Sequence, residues 1–222
     1  MQVFQQFDIG TAKPSAELRE RVPHHLIDCL PPQENFTAFE FKQRADNIIR
    51  DLHAQGKVPI IVGGTGLYIQ VLMQDFDCAI AVDPELRKRI LENIETRGAE
   101  AVHAELTAVD PESASRIQPT DPIRIERALG VFRQTGIPLS KFHREDTQSD
   151  SSYRAQLYVL EMERARLYDL INNRVDRMMT AGWLDEVRTL IRCGIPETCK
   201  PFQSIGYKQL LSHLKGDLSL DE

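Results

Sequence analysis

Three glycines around one threonine are the residues best placed to do chemistry. Lys57–Gln74 reads K-V-P-I-I-V-G-G-T-G-L-Y-I-Q-V-L-M-Q. Val58–Val62 is an apolar, β-branched run of a length suited to a strand buried on both faces. Gly63, Gly64 and Gly66 then make a turn around Thr65, and Leu67, Val71 and Leu72 recur at helical spacing. Strand, glycine turn and helix start would converge backbone N–H groups at a positive dipole end, a geometry suited to a diphosphate. The same turn could instead serve close strand–helix packing, because glycine lets backbones approach. It is neither the dinucleotide fingerprint nor a Walker A loop, since no Gly-Lys-Ser/Thr follows.

Arginine is the other residue type with chemistry to offer. Arg87 and Arg89, Arg124 and Arg127, and Arg164, Arg166, Arg174 and Arg177 are clumped. Each clump reads either as a solvated helix face or as a local anion-binding surface. Net charge is −6, which argues against indiscriminate nucleic-acid binding through the whole surface and leaves room for a basic groove. The pair His24–His25 would point to opposite faces of an extended segment, so packed histidines are expected rather than metal ligands. Cys29, Cys78, Cys193 and Cys199 show no C-x-x-C spacing and read as reduced, unpaired thiols of a cytoplasmic protein. No apolar run approaches transmembrane length, and the N-terminus has no basic-then-apolar signal pattern.

The elements that must position these residues are mostly helical. Met1–Pro14 reads as a loop packed by Val3, Phe4 and Phe7, and His25–Cys29 as a short strand. Thr37 with Glu40 predicts a capping box on a helix striped by Ala38, Phe41, Ala45, Ile48 and Leu52, stopped by Gly56. Helix, buried strand, glycine turn and helix is the rhythm of an α/β parallel sheet. From Asp83 the texture is helix without strand. Asp83–Pro84, Asp110–Pro111 and Asp121–Pro122 each put a capping acid before a proline suited to the first turn. Leu86, Ile90 and Ile94 stripe the first helix, which Gly98 ends; Ile125, Leu129 and Phe132 stripe Pro122–Thr135, which Gly136 ends. Lys141–Ser152 reads as a polar linker and Gln156–Glu161 as a returning strand. Glu163–Thr180 reads as a helix striped by Leu167, Ile171, Val175 and Met178. Arg174 lies at the edge of that stripe, either reaching into a cleft or snorkelling. Asp185–Cys193 is a further helix, and Ser204–Lys208 a polar, aromatic turn leading into a short one.

D-I-G-T-A-K-P (Asp8–Pro14), H-H-L-I-D (His24–Asp28) and V-G-G-T-G-L-Y (Val62–Tyr68) resemble tRNA dimethylallyltransferases, also called tRNA isopentenyltransferases. D-P-I-R-I-E-R-A-L (Asp121–Leu129), R-L-Y-D-L-I-N-N-R-V-D-R-M (Arg166–Met178) and I-G-Y-K-Q (Ile205–Gln209) extend the resemblance in order over nearly the whole chain. It implies transfer of a dimethylallyl group from dimethylallyl diphosphate to N6 of the adenine 3′ of the tRNA anticodon. It also implies a fold similar to P-loop nucleotide kinases: an α/β parallel-sheet core over 1–82, a helical insertion clasping the anticodon stem-loop over 83–145, and a return to the core over 146–222. Magnesium is implied as cofactor, with no ligand for it nameable in these residues, and a monomer is expected. Carried over by position, Thr65 sits at the reaction centre, Gly63 and Gly64 contribute to diphosphate binding, and Arg174 grips the diphosphate. Thr65 and Arg174 are then expected to face the same prenyl diphosphate. The tRNA-contacting positions implied are Met1, Gln2, Thr65, Arg87, Ile123, Arg124, Ile125, Glu126 and Arg127, with Gln203, Ser204, Ile205, Gly206, Tyr207 and Lys208. Tyr207 is expected to stack and Lys208 to meet phosphate.

The chain departs from that pattern in three places. The family's Gly-x-Thr-x-x-Gly-Lys-Ser/Thr loop and an Asp serving as general base are expected before Met1, and a basic, aromatic segment beyond Gly216. Gly130 replaces a usual glutamate. Loss of a general base costs roughly 10²–10⁴-fold in rate, so these residues as an isolated polypeptide are expected to be inactive and poorly stable, a truncated form of an active enzyme. Two other readings compete: an adenylate isopentenyltransferase acting on free AMP, ADP or ATP, and a non-catalytic tRNA-binding remnant.

Overall fold

The computed structural model describes residues 1–73, 80, 82–145 and 153–220. The chain divides into two compact units, Met1–Pro59 with Gln156–Glu222, and Ile60–Ala155. Cys78 and residues 146–152 of the expected linker lie outside the described residues; the linker's start, 141–145, belongs to a helix, α8 (Leu139–Glu145).

The expected α/β parallel-sheet core is absent among the described residues. The described elements are helices alone, and one isolated parallel bridge joins Phe4 to Leu30. An extended segment becomes a strand only when neighbours take up its N–H and C=O groups. Residues 57–62 and 154–161 join no ladder, and their apolar side chains stand in solvent, Val62 at 89% and Leu160 at 98% exposure. The apolar pattern that announced buried strands is real, but nothing described pairs with it. His25–Cys29 does lie beside Met1–Gln5, with Cys29 and Leu30 N–H donating to the Val3 carbonyl at 2.9 and 3.0 Å. Positive φ at Leu26 and Asp28 kinks it out of a regular strand.

The unit made of both chain ends contains α1 (Ala16–Arg21), α2 (Ala38–Ala54), α9 (Arg164–Thr180), α10 (Trp183–Arg192), a 3₁₀ turn (Lys200–Gln203) and α11 (Tyr207–Lys215). The capping box on α2 forms as expected: Glu40 N–H donates to Thr37 Oγ1 at 3.1 Å and Thr37 N–H to Glu40 Oε2 at 2.8 Å. Its fully buried residues are Ala45, from the predicted stripe, and Ile49 beside it, while Ala38, Phe41, Ile48 and Leu52 are half-buried. The core gathers Phe7, Met178, Trp183, Val187, Leu190, Phe202, Tyr207 and Leu211. Phe4 and Phe7 are buried as expected. On α9 only Met178 of the predicted stripe is buried; Leu167, Ile171 and Val175 stand more than 40% exposed.

The second unit holds α3 (Gly66–Met73), α4 (Pro84–Arg97), α5 (Ala99–Val109), α6 (Pro111–Arg116), α7 (Pro122–Thr135) and α8. All three Asp-Pro pairs cap helices: Asp83 accepts from Glu85 and Leu86 N–H, Asp110 from Ser113 N–H and Asp121 from Arg124 N–H. Ile90, Ile94, Val102, Leu106, Ile125, Ala128 and Leu129 form one core between α4, α5 and α7. Gly98, at φ +86°, ends α4 and begins α5 with no residue between. Gly130 is buried in α7, and a Cβ there would lie 2.8 Å from Val82 Cγ1. That close approach accounts for a glycine where helix propensity disfavours one.

Asp110, 1% exposed, ties α6 to α8: Oδ2 accepts from Ser113 Oγ at 2.6 Å and from Ser140 N–H at 3.0 Å. Burial raises its pKa, but the hydrogen bonds from Ser113 and Ser140 together outweigh burial and the net shift is downward. Folded Asp110 therefore takes up a proton less readily than the unfolded carboxyl. Its stabilisation is fully present above roughly pH 4 and is lost as pH falls through the lower folded value. Asp110→Ala is expected to destabilise this unit by about 1–3 kcal/mol at neutral pH and to flatten the acid limb of stability against pH, both read by urea melts followed by circular dichroism.

Candidate functional site

In the terminal unit the D-I-G-T-A-K-P loop is held from two sides. Glu186, on α10, accepts from the backbone N–H groups of Asp8 (2.9 Å) and Ile9 (2.7 Å) through Oε2, and from Gly10 (3.5 Å) through Oε1. Tyr207 Oη donates to the same Oε1 at 2.5 Å. Burial and the adjacent carboxylate push the Tyr207 pKa far up, so the phenol stays a donor. On the loop's other side Lys13, its side chain 3% exposed, donates to the Phe4 carbonyl (2.6 Å), Asp8 Oδ1 (2.7 Å) and Asp28 Oδ1. Arg19 adds a 2.7 Å contact to Asp28 Oδ2. Burial raises the Asp28 pKa, and the Lys13 and Arg19 hydrogen bonds more than reverse that, leaving it lowered.

Trp183, the only tryptophan, fits between two glycines of this cluster. A Cβ on Gly10 would fall 2.1 Å from its Nε1, and one on Gly206 would fall 2.1 Å from its Cη2. Gly206 also sits at φ +88°, so glycine is required there twice over. The ring packs edge-on to Tyr207 with centroids 5.4 Å apart, and Tyr207 packs likewise on Phe7 at 4.9 Å.

The structure brings the expected residues of this unit into partial register with that cluster. Gln2 Nε2 donates to the carbonyls of Thr11 and Ala12 at 3.0 and 2.9 Å, so it holds the loop rather than standing free; Met1 beside it is exposed. Gln203, Ile205 and Lys208 are exposed, Ile205 at 92%, while Ser204 and Gly206 are half-buried. Tyr207 is 1% exposed, which leaves no face for a stacked base; its ring serves the core. Arg174 is exposed on α9 and makes no ion pair among the described residues.

In the helical unit, Thr65 stands immediately before α3, its carbonyl accepting from Tyr68 N–H at 3.0 Å and Ile69 N–H at 3.4 Å. Among the described residues the N–H groups of Gly66 and Leu67 have no acceptor, so the helix presents an open positive end. A Cβ at Gly63, Gly64 or Gly66 would meet nothing within 4 Å in this unit, so close packing does not explain these glycines. Arg87 Nε donates to Glu126 Oε2 at 3.0 Å. Glu126 is 3% exposed and Ile125 fully buried, so both serve the core, while Ile123 is 64% exposed. Arg124 pairs with Asp121 at 3.0 Å with its side chain mostly exposed, and Arg127 Nη1 donates to the Ile80 carbonyl at 2.6 Å. Glu126 thus orients the Arg87 guanidinium and leaves its outer N–H groups toward solvent.

Sequence reasoning missed Glu186, Lys13, Asp28, Gly10 and Trp183 as site-building residues. Lys13, Asp28 and Gly10 lay inside the motifs without a role. Nothing local marks Glu186, whose loop partners are 176–178 residues away. Among the described residues no three His, Cys, Asp or Glu side chains converge to hold a metal ion, and no helix is long and apolar enough to cross a membrane. Cys29, Cys193 and Cys199 are free thiols.

Gly10→Ala drives a methyl into a buried ring and is expected to cost about 1–3 kcal/mol of stability. Gly63→Ala, in open space, should stay within about 0.5 kcal/mol of the parent. Denaturant titration of the two variants side by side checks the contrast.

The sequence model of the IPP transferase family matches residues 2–222. The tRNA dimethylallyltransferase of Syntrophobacter fumaroxidans is 48% identical over 222 residues, 100% of this chain and 65% of that protein. That of Geobacter metallireducens is 46% identical over 222 residues, 100% of this chain and 72% of that one. Among solved structures, the tRNA delta(2)-isopentenylpyrophosphate transferase of Staphylococcus epidermidis is 40% identical with a TM-score of 0.64, covering 100% of this chain and 72% of that one. A eukaryotic dimethylallyltransferase acting on tRNA is 27% identical with a TM-score of 0.80, covering 97% of this chain and 55% of that one. The chain spans about two thirds of the length of these curated relatives. With a match over all but its first residue, the chain belongs to the IPP transferase family.

Proposed function

We propose that this protein acts in transferring the dimethylallyl group of dimethylallyl diphosphate to N6 of the adenine immediately 3′ of the anticodon in tRNA. The family match over residues 2–222 carries this reading. The relatives' activity and the solved relative acting on tRNA support tRNA over a free adenine nucleotide as acceptor. The protein would work in the cytoplasm as a monomer.

In this reaction a bond forms between adenine N6 and C1 of the dimethylallyl group as the C1–O bond breaks. The electron pair leaves with the diphosphate, and N6 gives up a proton to a base. The leaving group gains negative charge, and cationic or N–H donors aimed at it lower the barrier. Arg174 is assigned to the diphosphate: its guanidinium is exposed, free of any ion pair among the described residues, and forks to match paired phosphate oxygens. Thr65, Gly63 and Gly64 are assigned to the reaction centre, supported by the unpartnered Gly66 and Leu67 N–H groups at the start of α3. Arg87, Arg124 and Arg127, exposed Ile123, and the exposed members of Gln203–Lys208 are assigned to tRNA, with phosphate contacts fixing its position. Magnesium would balance the diphosphate charge; among the described residues no three His, Cys, Asp or Glu side chains converge to hold it.

Isotope-labelled dimethylallyl diphosphate offered with either AMP or an anticodon stem-loop, to this sequence carried in a form of the relatives' full length, tests the reading. Label is expected on the stem-loop; label on AMP alone overturns it. Arg174→Ala is expected to lower turnover by roughly 10²–10³-fold with stem-loop affinity unchanged. Unchanged turnover removes Arg174 from its role.

A further inference from the structure

The geometry points to Glu186 as the positioning residue that sets two RNA-facing segments against each other, an inference that rests on the tRNA reading above. One carboxylate takes the N–H groups of Asp8, Ile9 and Gly10 on one side and the Tyr207 hydroxyl on the other. The loop it holds supplies the Thr11 and Ala12 carbonyls that fix Gln2. The tyrosine it holds leads the helix whose preceding turn exposes Ile205 and carries Lys208 beside it. Besides this carboxylate, the two segments meet through the packing of Phe7 on Phe202 and Tyr207 and of Trp183 against Gly10 and Gly206. A charged acceptor with several donors gives direction as well as attraction, so it fixes the angle between the segments where apolar packing alone would let them slide.

Glu186 acts only through the segments it holds. Removing it leaves the Asp8 and Ile9 N–H groups without their acceptor, and the loop that carries Gln2 loses its fixed conformation. Glu186→Gln keeps most of the arrangement: the amide oxygen still accepts from the loop, and the amide N–H₂ donates to the Tyr207 oxygen. Tyr207→Phe cuts the other arm alone and leaves the ring packing in place.

The sole tryptophan makes the junction observable. On the 222-residue chain, Glu186→Ala is expected to raise acrylamide quenching of Trp183 while the helical circular dichroism stays at the parent level. Its affinity for an anticodon stem-loop is expected to fall roughly tenfold, Glu186→Gln to recover most of that loss, and Tyr207→Phe to lose about threefold. Stem-loop affinity within twofold of the parent in Glu186→Ala, with Trp183 newly accessible, overturns the positioning role while the tRNA reading stands. If Glu186→Ala fails to fold, Tyr207→Phe decides: parent-level affinity overturns the role. Failure of the unsubstituted chain to bind the stem-loop overturns the tRNA reading itself, and this inference with it.

Discussion

Backbone N–H groups that leave water must find an acceptor, and in the terminal unit that demand falls on one side chain. The Asp8–Gly10 turn has no helix or sheet to absorb its donors, and Glu186 absorbs them instead. Because the acceptor sits on α10, the loop's conformation depends on α10 being docked, and α10 docks by burying Trp183, Val187 and Leu190. Apolar packing and polar satisfaction therefore stand or fall together. Lys13 repeats the logic with the sign reversed: a buried ammonium surrounded by a carbonyl and two carboxylates. A buried charge of this kind is tolerable only when fully partnered.

The helical unit is organised by shorter-range rules. Each Asp-Pro pair sets a helix start by satisfying free N–H donors, and each apolar stripe then has one orientation that buries it. Asp110 goes further, linking its own helix to the start of α8 through Ser140. On the same unit's surface, Arg87 and Arg124 each meet a carboxylate while remaining exposed. A guanidinium braced on one side by an acid keeps donors on the other, which suits phosphate recognition better than a freely rotating one.

What could be read from the sequence followed the range of the interactions involved. Caps at Thr37, Asp83, Asp110 and Asp121, stops at Gly98 and Gly136, and the Ile90–Ile94 and Ile125–Leu129 stripes all act within a few residues, and all were legible. The expected sheet is absent among the described residues, because the apolar run at Val58–Val62 and the alternation at Gln156–Glu161 state a preference for extension without naming a pairing partner. Site positions divide the same way. Thr65 and the arginines were visible as residue types, whereas Glu126 and Tyr207 needed three dimensions to show which way they faced. Glu186 was invisible, being joined to its loop across most of the chain.

Gly98 closes one helix and opens the next with nothing in between. With φ +86° and ψ 148° at that one residue, the backbone leaves helical geometry and re-enters it in a single step. The direction α5 takes from α4 is therefore set by one pair of dihedral angles that only glycine adopts at little cost, and the seating of Val102 and Leu106 in the core turns on that corner.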